Sequence, residues 1–232
     1  MVSNKIIPQY LTMTEMAARL IRERVLSGHY YSGDRLIPEK LEAELGLGRV
    51  AIREALRELT GSGLVVSLPN KGVIVAEPPD GDEIKAIYNA RYALEGETAY
   101  QAAKNITPDV IARMEDLIKQ MEATVKDPFN LILLNREFHL ILYEASGWKP
   151  ACRIIHQLFD QTLIFRGLHK SWVADDPALF HQDHRGIIEA LKAGDAEAAK
   201  EKVVANIYRG FHQYVLNHTS SKKKNKKSGR NY

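Results

Sequence analysis

The chain has 232 residues, of which 45% are hydrophobic and 26% charged, an ordinary composition for a globular protein and a length sufficient for two domains. Its net charge of +3 conceals a basic C-terminal end, because residues 218–232 carry six basic side chains and no acidic one. The single cysteine, Cys152, excludes an intrachain disulfide, and residues 1–30 lack a signal-peptide core. No apolar run is long enough to span a membrane, so we expect a cytoplasmic protein without a membrane segment.

The first elements along the chain predict a helix-turn-helix. Residues 13–26 are amphipathic, residues 38–45 form a second short helical segment, and a glycine turn leads into a third helix at residue 49. In this third helix apolar residues recur on one face, and arginines recur four residues apart on another. The apolar face consists of Ile52, Leu56 and Leu59, and the arginine face of Arg49, Arg53 and Arg57.

Two short strands follow and predict a wing. Residues 64–68 and 73–75 have the composition of strands, and residues 69–72 have the composition of a turn. A β-hairpin directly after the third helix would carry Lys71 at its tip, toward a DNA backbone or minor groove. The spacing therefore predicts a winged helix-turn-helix domain over residues 1–79.

The arginine face of the third helix admits two interpretations. Such a helix fits the major groove of DNA, where guanidinium groups contact guanine edges and phosphates. Glu54 and Glu58 alternate with the arginines, so the same face also fits a solvated helix with ion pairs. Residues 1–79 hold ten basic and nine acidic side chains, so DNA binding would depend on where the arginines lie and not on overall charge.

Residues 80–217 predict an all-α domain. Two prolines at residues 78 and 79 end the second wing strand, and Asp80 or Asp82 can cap the helix that follows. The expected helices cover residues 81–104, 108–125, 128–146, 149–169, 177–193 and 195–217. The predicted fold class is mainly α: an N-terminal winged helix-turn-helix followed by an all-α bundle of six or seven helices. We expect residues 218–232 to form a disordered lysine-rich tail.

The N-terminal pattern resembles the GntR family of bacterial transcription regulators. The resemblance is carried by Gly33-Asp34-Arg35-Leu36, Leu41, Leu45-Gly46, Arg49, Arg53-Glu54-Ala55-Leu56, Leu59, Gly63-Leu64-Val65, and Lys71-Gly72 with Val75. These residues span most of the domain at the family's spacing. The resemblance implies contacts to double-stranded DNA from Arg35, Gly48, Arg49, Val50, Ala51, Arg53, Arg57, Lys71 and Gly72.

Three positions depart from the family pattern. Gly48 stands where the family usually places Ser or Thr, so the start of the recognition helix lacks a capping hydroxyl. Val50 and Ala51 replace the usual Thr-Pro pair, so base contacts there would be apolar, for example with a thymine methyl group. Glu39 stands where many members have a basic residue. These departures leave the predicted fold unchanged but prevent transfer of an operator sequence.

The helical domain resembles the FCD effector-binding domain of the FadR-type branch of the same family. The resemblance covers residues 81–212 and rests on residues 91–95, 135–139, 146–147, 184–191, 194–195 and Ala198. It implies a homodimer that binds a palindromic operator and responds to a small organic acid inside the bundle. It also implies repression as the commoner mode of action.

Four polar positions in this domain carry the predicted ligand chemistry. Asn135 and His139 are four residues apart and share one helix face, and His184 and Asn206 lie on later helices. In the family these positions typically hold Asp, His, His and His around a divalent metal. Here two asparagines replace stronger donors, and an amide oxygen is a poor ligand for zinc or nickel.

Three alternatives stay open for these positions. His139, His184 and Asn135 could hold one divalent metal (Zn, Ni or Mn). The four residues could instead hydrogen-bond an organic effector directly. They could also be a satisfied polar cluster in the core.

Arg91 is the predicted anchor for an organic acid. It borders an apolar face of the first bundle helix, and a guanidinium there can bind a carboxylate through two hydrogen bonds. The alternative is an ion pair with Glu95 four residues later. Arg166 is a second candidate for contact with the acid. Tyr143 either lines the same pocket or fills the core.

Two other classes of function remain as alternatives. One is an effector-independent DNA-binding protein with a degenerate sensor domain, which ligand-dependent thermal stabilisation would distinguish. The other is an all-α metal hydrolase that uses His139 and His184. The chain has no nucleophile or general base at recognisable spacing, so we predict that it is not an enzyme.

Overall fold

The computed structural model describes residues 11–124, 127–168 and 177–227. Within these ranges the chain forms nine helices and one two-stranded antiparallel hairpin, which confirms the predicted mainly α fold class. In chain order the elements are α1 (Met13–Leu26), α2 (Pro38–Leu45), α3 (Arg49–Gly61), β1 (Val65–Leu68), β2 (Gly72–Val75), α4 (Gly81–Ala103), α5 (Pro108–Ala123), α6 (Pro128–Glu144), α7 (Lys149–Leu168), α8 (Pro177–Lys192) and α9 (Ala196–Lys227). Among these helices none is both long and apolar enough to cross a bilayer.

The N-terminal unit is built on α1, α2 and α3, whose apolar faces meet in one core. α1 starts at a capping box, in which the side chains of Thr12 and Glu15 each accept a hydrogen bond from the other residue's backbone N–H. α2 starts at Pro38 and ends at Gly46, whose φ of 67° lies in the left-handed region that glycine adopts without strain. α3 packs on α1, α2 and β1. Buried side chains of this core include Ala17, Ile21, Leu36, Leu41, Ile52, Leu56, Leu59, Leu64 and Val75.

The hairpin after α3 is the predicted wing. Its strands pair antiparallel, with Val65 opposite Val75 and Leu68 opposite Gly72. The turn between them passes through Asn70, whose φ of 64° is positive. Asparagine tolerates this left-handed conformation better than most residues, so the turn residues agree with a tight hairpin.

A third backbone segment joins the wing. The Leu36 N–H donates to the Val73 carbonyl at 2.9 Å, and the Val75 N–H donates to the Asp34 carbonyl at 2.9 Å. Residues 33–36 therefore pair with β2 on the edge that β1 leaves open. Their sequence has no strand pattern, so this pairing was not predicted.

One segment distant in sequence also belongs to the N-terminal unit. The described residues before Pro79 group with Asp160–Leu168, the C-terminal half of α7, and the other described residues form a second unit. The buried Asp160 carboxylate accepts a hydrogen bond from Nε of Arg22 in α1 at 2.9 Å. Gln161 lies against Gly63, in the turn after α3. Helical periodicity over residues 80–217 predicts one domain and contains no signal of this division.

The second unit is a bundle in which α4 packs along α9. α6 packs on α4 and α5, and α8 packs on α5 and α9. Pro108, Pro128 and Pro177 open α5, α6 and α8 where the sequence predicts helix starts. At the contact of α4 with α9, Gly96 permits a close approach, because a Cβ atom there would lie 2.8 Å from Cγ2 of Val204.

α9 ends later than the sequence predicts. The helix runs to Lys227, whereas we expected a disordered tail from residue 218. No proline interrupts residues 196–227, and lysine has a good intrinsic helix propensity, so the helix continues into the basic segment. Residues 228–232 lie outside the described residues.

Candidate functional site

The solvent-facing side of α3 carries the arginines that the sequence predicts to contact DNA. Its other side buries Ile52, Ala55, Leu56 and Leu59. The exposed side chains are Arg49, Val50, Arg53 and Arg57, and Ala51 is half-buried. The periodicity of the sequence therefore separated the two faces of this helix correctly.

Acidic neighbours hold two of the three arginines. Arg49 Nε donates to Glu42 Oε2 at 3.0 Å, and Arg49 Nη1 lies 3.5 Å from Glu39 Oε1. Arg57 Nη1 lies 3.9 Å from a carboxylate oxygen one turn earlier. Arg53 is exposed and forms no ion pair within the described part of the chain. Among the described residues, Arg53 is therefore the arginine of this face whose charge no acidic neighbour compensates.

The start of α3 is open to solvent. Gly48 occupies the N-cap position with extended backbone angles (φ −62°, ψ 146°), and no side chain caps the helix. The next residue but one, Val50, is 79% exposed. The first N–H groups of α3 are therefore available to a phosphate, and an apolar side chain stands beside them.

The predicted wing residues lie together at one end of the hairpin. Lys71 and Gly72 are exposed at the turn. The guanidinium of Arg35 packs over Gly72, since a Cβ atom on that glycine would lie 3.5 Å from Nε and Nη2 of Arg35. The φ of Gly72 is 74°, which further favours glycine. Two cationic side chains thus lie at or beside the wing turn.

A second set of candidate residues lies inside the bundle. Six polar side chains from α4, α6 and α8 are buried and connected to one another by hydrogen bonds and ring contacts. None is more than 6% exposed. We call them the polar core cluster: Arg91, Glu95, Asn135, His139, Tyr143 and His184. Burying this many polar groups is costly unless they bond to each other or to a ligand.

Arg91 is held by Glu95, the alternative partner that the sequence left open. Arg91 Nε donates to Glu95 Oε1 at 2.5 Å, and the Tyr143 hydroxyl donates to Glu95 Oε2 at 2.6 Å. The guanidinium lies 4.1 Å from the centroid of the Phe159 ring. Nη1 of Arg91 is buried and has no hydrogen-bond partner among the described atoms. This donor is where a ligand oxygen could bind.

Burial and the charge of Glu95 together determine the ionisation of Arg91 and Tyr143. Burial lowers the pKa of Arg91, but the adjacent Glu95 carboxylate outweighs it, so the pKa lies above its ordinary value. Burial raises the pKa of Tyr143 well above its ordinary value, and Glu95 raises it further. At neutral pH Arg91 is therefore charged and Tyr143 is a protonated donor.

His184 connects α8 to α6. Its Nδ1 lies 2.7 Å from the Phe180 carbonyl oxygen, and its Nε2 lies 2.8 Å from Asn135 Oδ1. Burial lowers the pKa of His184 to about 4, and the bond to Phe180 opposes this change. The His139 ring lies 5.5 Å from the His184 ring, and His139 Nδ1 lies 3.3 Å from the Tyr143 hydroxyl. Three of the four predicted polar positions are therefore together.

The donor set of the polar core cluster does not fit a divalent metal. Among the described residues no group of three or more His, Cys, Asp or Glu side chains could hold such an ion. Glu95, the only carboxylate of the cluster, already accepts hydrogen bonds from Arg91 and Tyr143. Asn135 offers a neutral amide, which zinc and nickel bind weakly.

Two further predicted ligand contacts are not part of the cluster as described. Asn206 is half-buried on α9, and its side chain opposes the rise that burial causes in the pKa of Asp183. Arg166 falls within α7, and its side chain lies outside the described residues. A cavity of about 480 Å³ lies between α8 and α9, and no residue of the polar core cluster lines it. Its lining includes Asp183, Arg185, Lys202 and Arg209.

Comparison with known protein families divides the chain into two parts. Residues 13–75 match the bacterial regulatory proteins of the gntR family. Residues 86–209, more than half of the chain, match the FCD domain. The first match covers the helix-turn-helix and wing, and the second covers all six residues of the polar core cluster.

Individual proteins resemble nearly the whole chain. The HTH-type transcriptional regulator McbR of Escherichia coli (strain K12) is 28% identical over 217 residues, which is 89% of this chain and 96% of McbR. The probable D-xylose utilization operon transcriptional repressor of Paenarthrobacter nicotinovorans is 26% identical over 203 residues, covering 85% and 88% of the two chains. The solved structure of E. coli McbR/YncC has a TM-score of 0.74 at 25% identity and covers 90% of this chain and 100% of that one.

Proposed function

Because this chain belongs to the GntR family, in the branch with an FCD domain, and is a DNA-binding transcriptional regulator, we propose that it acts as an effector-controlled repressor in the bacterial cytoplasm. The proteins it matches are regulators and not enzymes, so the hydrolase alternative is set aside. The observation that carries the proposal is the exposed arginine face of α3 beside a wing with two cations. A relative named as a repressor supports the direction of control.

The DNA contact begins with α3 in the major groove. Arg53, which has no acidic partner in the described part, contacts a base edge or phosphate, and Arg49 and Arg57 contact phosphates. Val50 meets an apolar base edge such as a thymine methyl group. Lys71 of the wing reaches the backbone or the minor groove.

We propose that two copies bind one operator. A two-fold dimer presents two α3 helices to half-sites about one helical turn apart, roughly 34–36 Å, so its operator is palindromic. The helical bundle would hold the two copies together. Effector binding in the bundle then changes the affinity for DNA, and the same factor applies in reverse to the affinity for the effector.

The effector of this proposal is a small organic acid. The unpartnered Nη1 of Arg91 supports this class, because a buried guanidinium N–H binds a carboxylate oxygen strongly. A second candidate function, DNA binding without an effector, is favoured by the other contacts of the cluster, in which Arg91 and His184 already have protein partners. A rise in melting temperature with a small carboxylic acid would support the first function.

The test of DNA binding compares the native chain with Arg53→Ala. An operator would be selected from random duplexes, and its affinity measured by fluorescence anisotropy at several salt concentrations. We expect Arg53→Ala to weaken binding roughly tenfold or more and, if Arg53 contacts phosphate, to reduce the salt slope by about 0.9. Arg113→Ala, an exposed arginine of α5, is the matched control and should bind normally. Equal affinity of the Arg53→Ala and native proteins would contradict the placement of α3 on DNA.

A further inference from the structure

Both ring nitrogens of His184 face oxygen-bearing groups. Nδ1 lies 2.7 Å from the Phe180 carbonyl, and Nε2 lies 2.8 Å from the side-chain amide of Asn135. A backbone carbonyl can only accept a hydrogen bond, so the ring proton is on Nδ1. His184 is fully buried, and no carboxylate among the described residues bonds to it, so the ring is neutral with a lone pair on Nε2.

Asn135 is the residue that matches this lone pair. Its amide oxygen and nitrogen have nearly the same shape, and half a turn about the last side-chain bond brings the NH₂ group to the 2.8 Å position. In that orientation Asn135 donates to Nε2 of His184. An aspartate carboxylate at the same position could not donate. Asn135 is thus suited to a neutral histidine whose Nε2 accepts a hydrogen bond.

Tyr143 and Glu95 also form hydrogen bonds with other residues of the polar core cluster. The Tyr143 hydroxyl has one proton, which it donates to Glu95 Oε2 at 2.6 Å. Its oxygen can therefore only accept from His139, whose Nδ1 lies 3.3 Å away. Glu95 receives hydrogen bonds on both oxygens, from Arg91 and from Tyr143.

We propose that this bundle binds its effector without a metal ion, because the Asn135 amide takes the position at His184 Nε2 that a divalent cation would need. The proposal rests on the proposed function, which places an effector in the bundle, but it makes a separate statement about how the site is built. The histidine is held between the Phe180 carbonyl and Asn135, and its role is to position α8 against α6.

The same contacts define the class of ligand. The charge of Arg91 is already balanced by Glu95, so within the described part of the chain the cluster has no uncompensated cation for a ligand with several negative charges. Its unmet requirement is an acceptor for Nη1 of Arg91. The ligand is therefore a small organic molecule with no more than one carboxylate, bound through an oxygen atom. Chelation of an ion by neighbouring carboxylate and hydroxyl groups has no part in its recognition.

The first test measures metal in the full chain as purified without chelators. We expect zinc, nickel, manganese and cobalt at far below one ion per chain, and the same melting temperature after EDTA or after addition of each ion. A bound metal at a hundredfold excess over its dissociation constant would change the melting temperature by roughly 5–10 °C. A stoichiometric ion, or a change of that size, would overturn the proposal.

Asn135→Asp is the matched variant. It replaces the amide donor by an anionic ligand of nearly equal size beside two histidines whose rings are 5.5 Å apart. We expect Asn135→Asp to gain a saturable rise in melting temperature with zinc that the native chain lacks. An equal response of the native chain to zinc would show that Asn135 does not exclude the ion.

A spectroscopic test examines the hydrogen bond itself. Long-range ¹H–¹⁵N spectra of the metal-free protein should show His184 protonated on Nδ1 alone, and the side-chain NH₂ of Asn135 should exchange slowly with solvent. A proton on Nε2 would overturn the proposal, because Asn135 would then accept. These measurements need neither DNA nor effector, so they can fail while the protein still binds an operator, and loss of operator binding in Arg53→Ala does not depend on them.

Discussion

Arg49 lies between two carboxylates at the start of the recognition helix. Its contacts at 3.0 Å with Glu42 and 3.5 Å with Glu39 hold the guanidinium against α2. Exposed ion pairs of this kind contribute little to stability, but they compete with DNA for the same cation. The sequence singled out Glu39 as an acidic residue where a basic one is usual. It could not show that its partner would be Arg49, because that depends on the angle between the helices.

Glu39→Gln should strengthen DNA binding. The substitution removes one acidic partner of Arg49 and one charge that repels phosphate, without changing the size of the side chain. We expect a higher affinity for the selected operator and a salt slope steeper by up to about 0.9, measured by anisotropy titrations across salt concentrations. Glu83→Gln, an exposed acid at the start of α4, is the control and should leave the slope unchanged. An unaltered affinity and slope in Glu39→Gln would mean that Glu39 does not compete with DNA for Arg49.

His184 should make the protein less stable in acid. Its pKa falls from about 6.5 to about 4 on folding, so the folded state binds the proton more weakly than the unfolded state. The stability from the neutral ring is complete above pH 6.5 and is lost as the pH falls from 6.5 toward 4. The shift corresponds to roughly 3 kcal/mol of unfolding free energy at most.

The check is urea unfolding of the native chain, His184→Asn and His212→Asn between neutral and mildly acidic pH. His184→Asn should lose stability less steeply with falling pH, because the titrating ring is gone and an amide N–H can still reach the Phe180 carbonyl. His212 is exposed on α9 and lies outside the polar core cluster, so His212→Asn is the control for the loss of an imidazole. Parallel profiles for His184→Asn and the native chain would contradict the prediction.

Local spacing predicted part of the polar core cluster and tertiary packing determined the rest. The four-residue separation of Asn135 and His139 is enough to place them on one face of α6. His184 reaches them only because α8 packs inside the bundle, and the family resemblance supplied that pairing. The same resemblance predicts a ligand contact from Asn206, but the structure connects Asn206 only with the pKa of Asp183, and its role with the effector stays a prediction.

At the scale of the elements, the local signals of the chain predicted most boundaries. Prolines at the starts of α5, α6 and α8 and glycine after α2 act on the backbone where they stand, so their effect can be read without tertiary structure. The pairing of residues 33–36 with β2 was not predictable in this way. Its hydrogen bonds depend on where the wing folds back. The extension of α9 to Lys227 was missed because composition alone favoured disorder.

Two glycines inside helices should respond oppositely to alanine. Gly96→Ala would place a methyl group 2.8 Å from the stiff, branched Val204 side chain, which forces α4 and α9 apart. Overpacking costs about 1–3 kcal/mol, and the gain in helix propensity of about 1 kcal/mol offsets part of it. Gly61→Ala, at the end of α3, meets no atom within 4 Å and should stabilise the protein by up to about 1 kcal/mol.

Chemical denaturation of the two variants measures this difference. We expect a lower midpoint for Gly96→Ala and an unchanged or higher midpoint for Gly61→Ala. Stabilisation by Gly96→Ala would mean that α4 and α9 tolerate the added methyl group, and the close approach at Gly96 would then have no structural requirement.

At the scale of the whole molecule, α7 is the element that contributes to both units. Phe159 lies under the Arg91 guanidinium in the bundle, and the next residue, Asp160, binds Arg22 of α1. Nη2 of Arg22 also donates to Glu58 of α3, at 3.0 Å. Consecutive residues of one helix thus contact the predicted ligand site and the helix that supports α3.

Asp160→Asn should destabilise the N-terminal unit. It removes the buried charge that compensates Arg22, and breaking a buried pair costs on the order of 3 kcal/mol. Glu58→Gln removes the other, exposed partner of Arg22 and should cost less than about 1 kcal/mol. Calorimetry should show a lower-temperature shoulder for Asp160→Asn and a native-like transition for Glu58→Gln. Identical transitions for the two variants would mean that Asp160 does not anchor the unit.

The division of α7 also limits how this protein can exchange parts with its relatives. A recombination at the two prolines after the wing transfers Arg22 but leaves residues 160–168 behind, so the new combination pairs an arginine with a foreign residue at position 160. A hybrid regulator that takes its DNA-binding domain from this chain needs an aspartate at position 160 of the host helix, or an uncharged residue at position 22. Related regulators that diversify by exchanging DNA-binding domains should therefore vary positions 22 and 160 together.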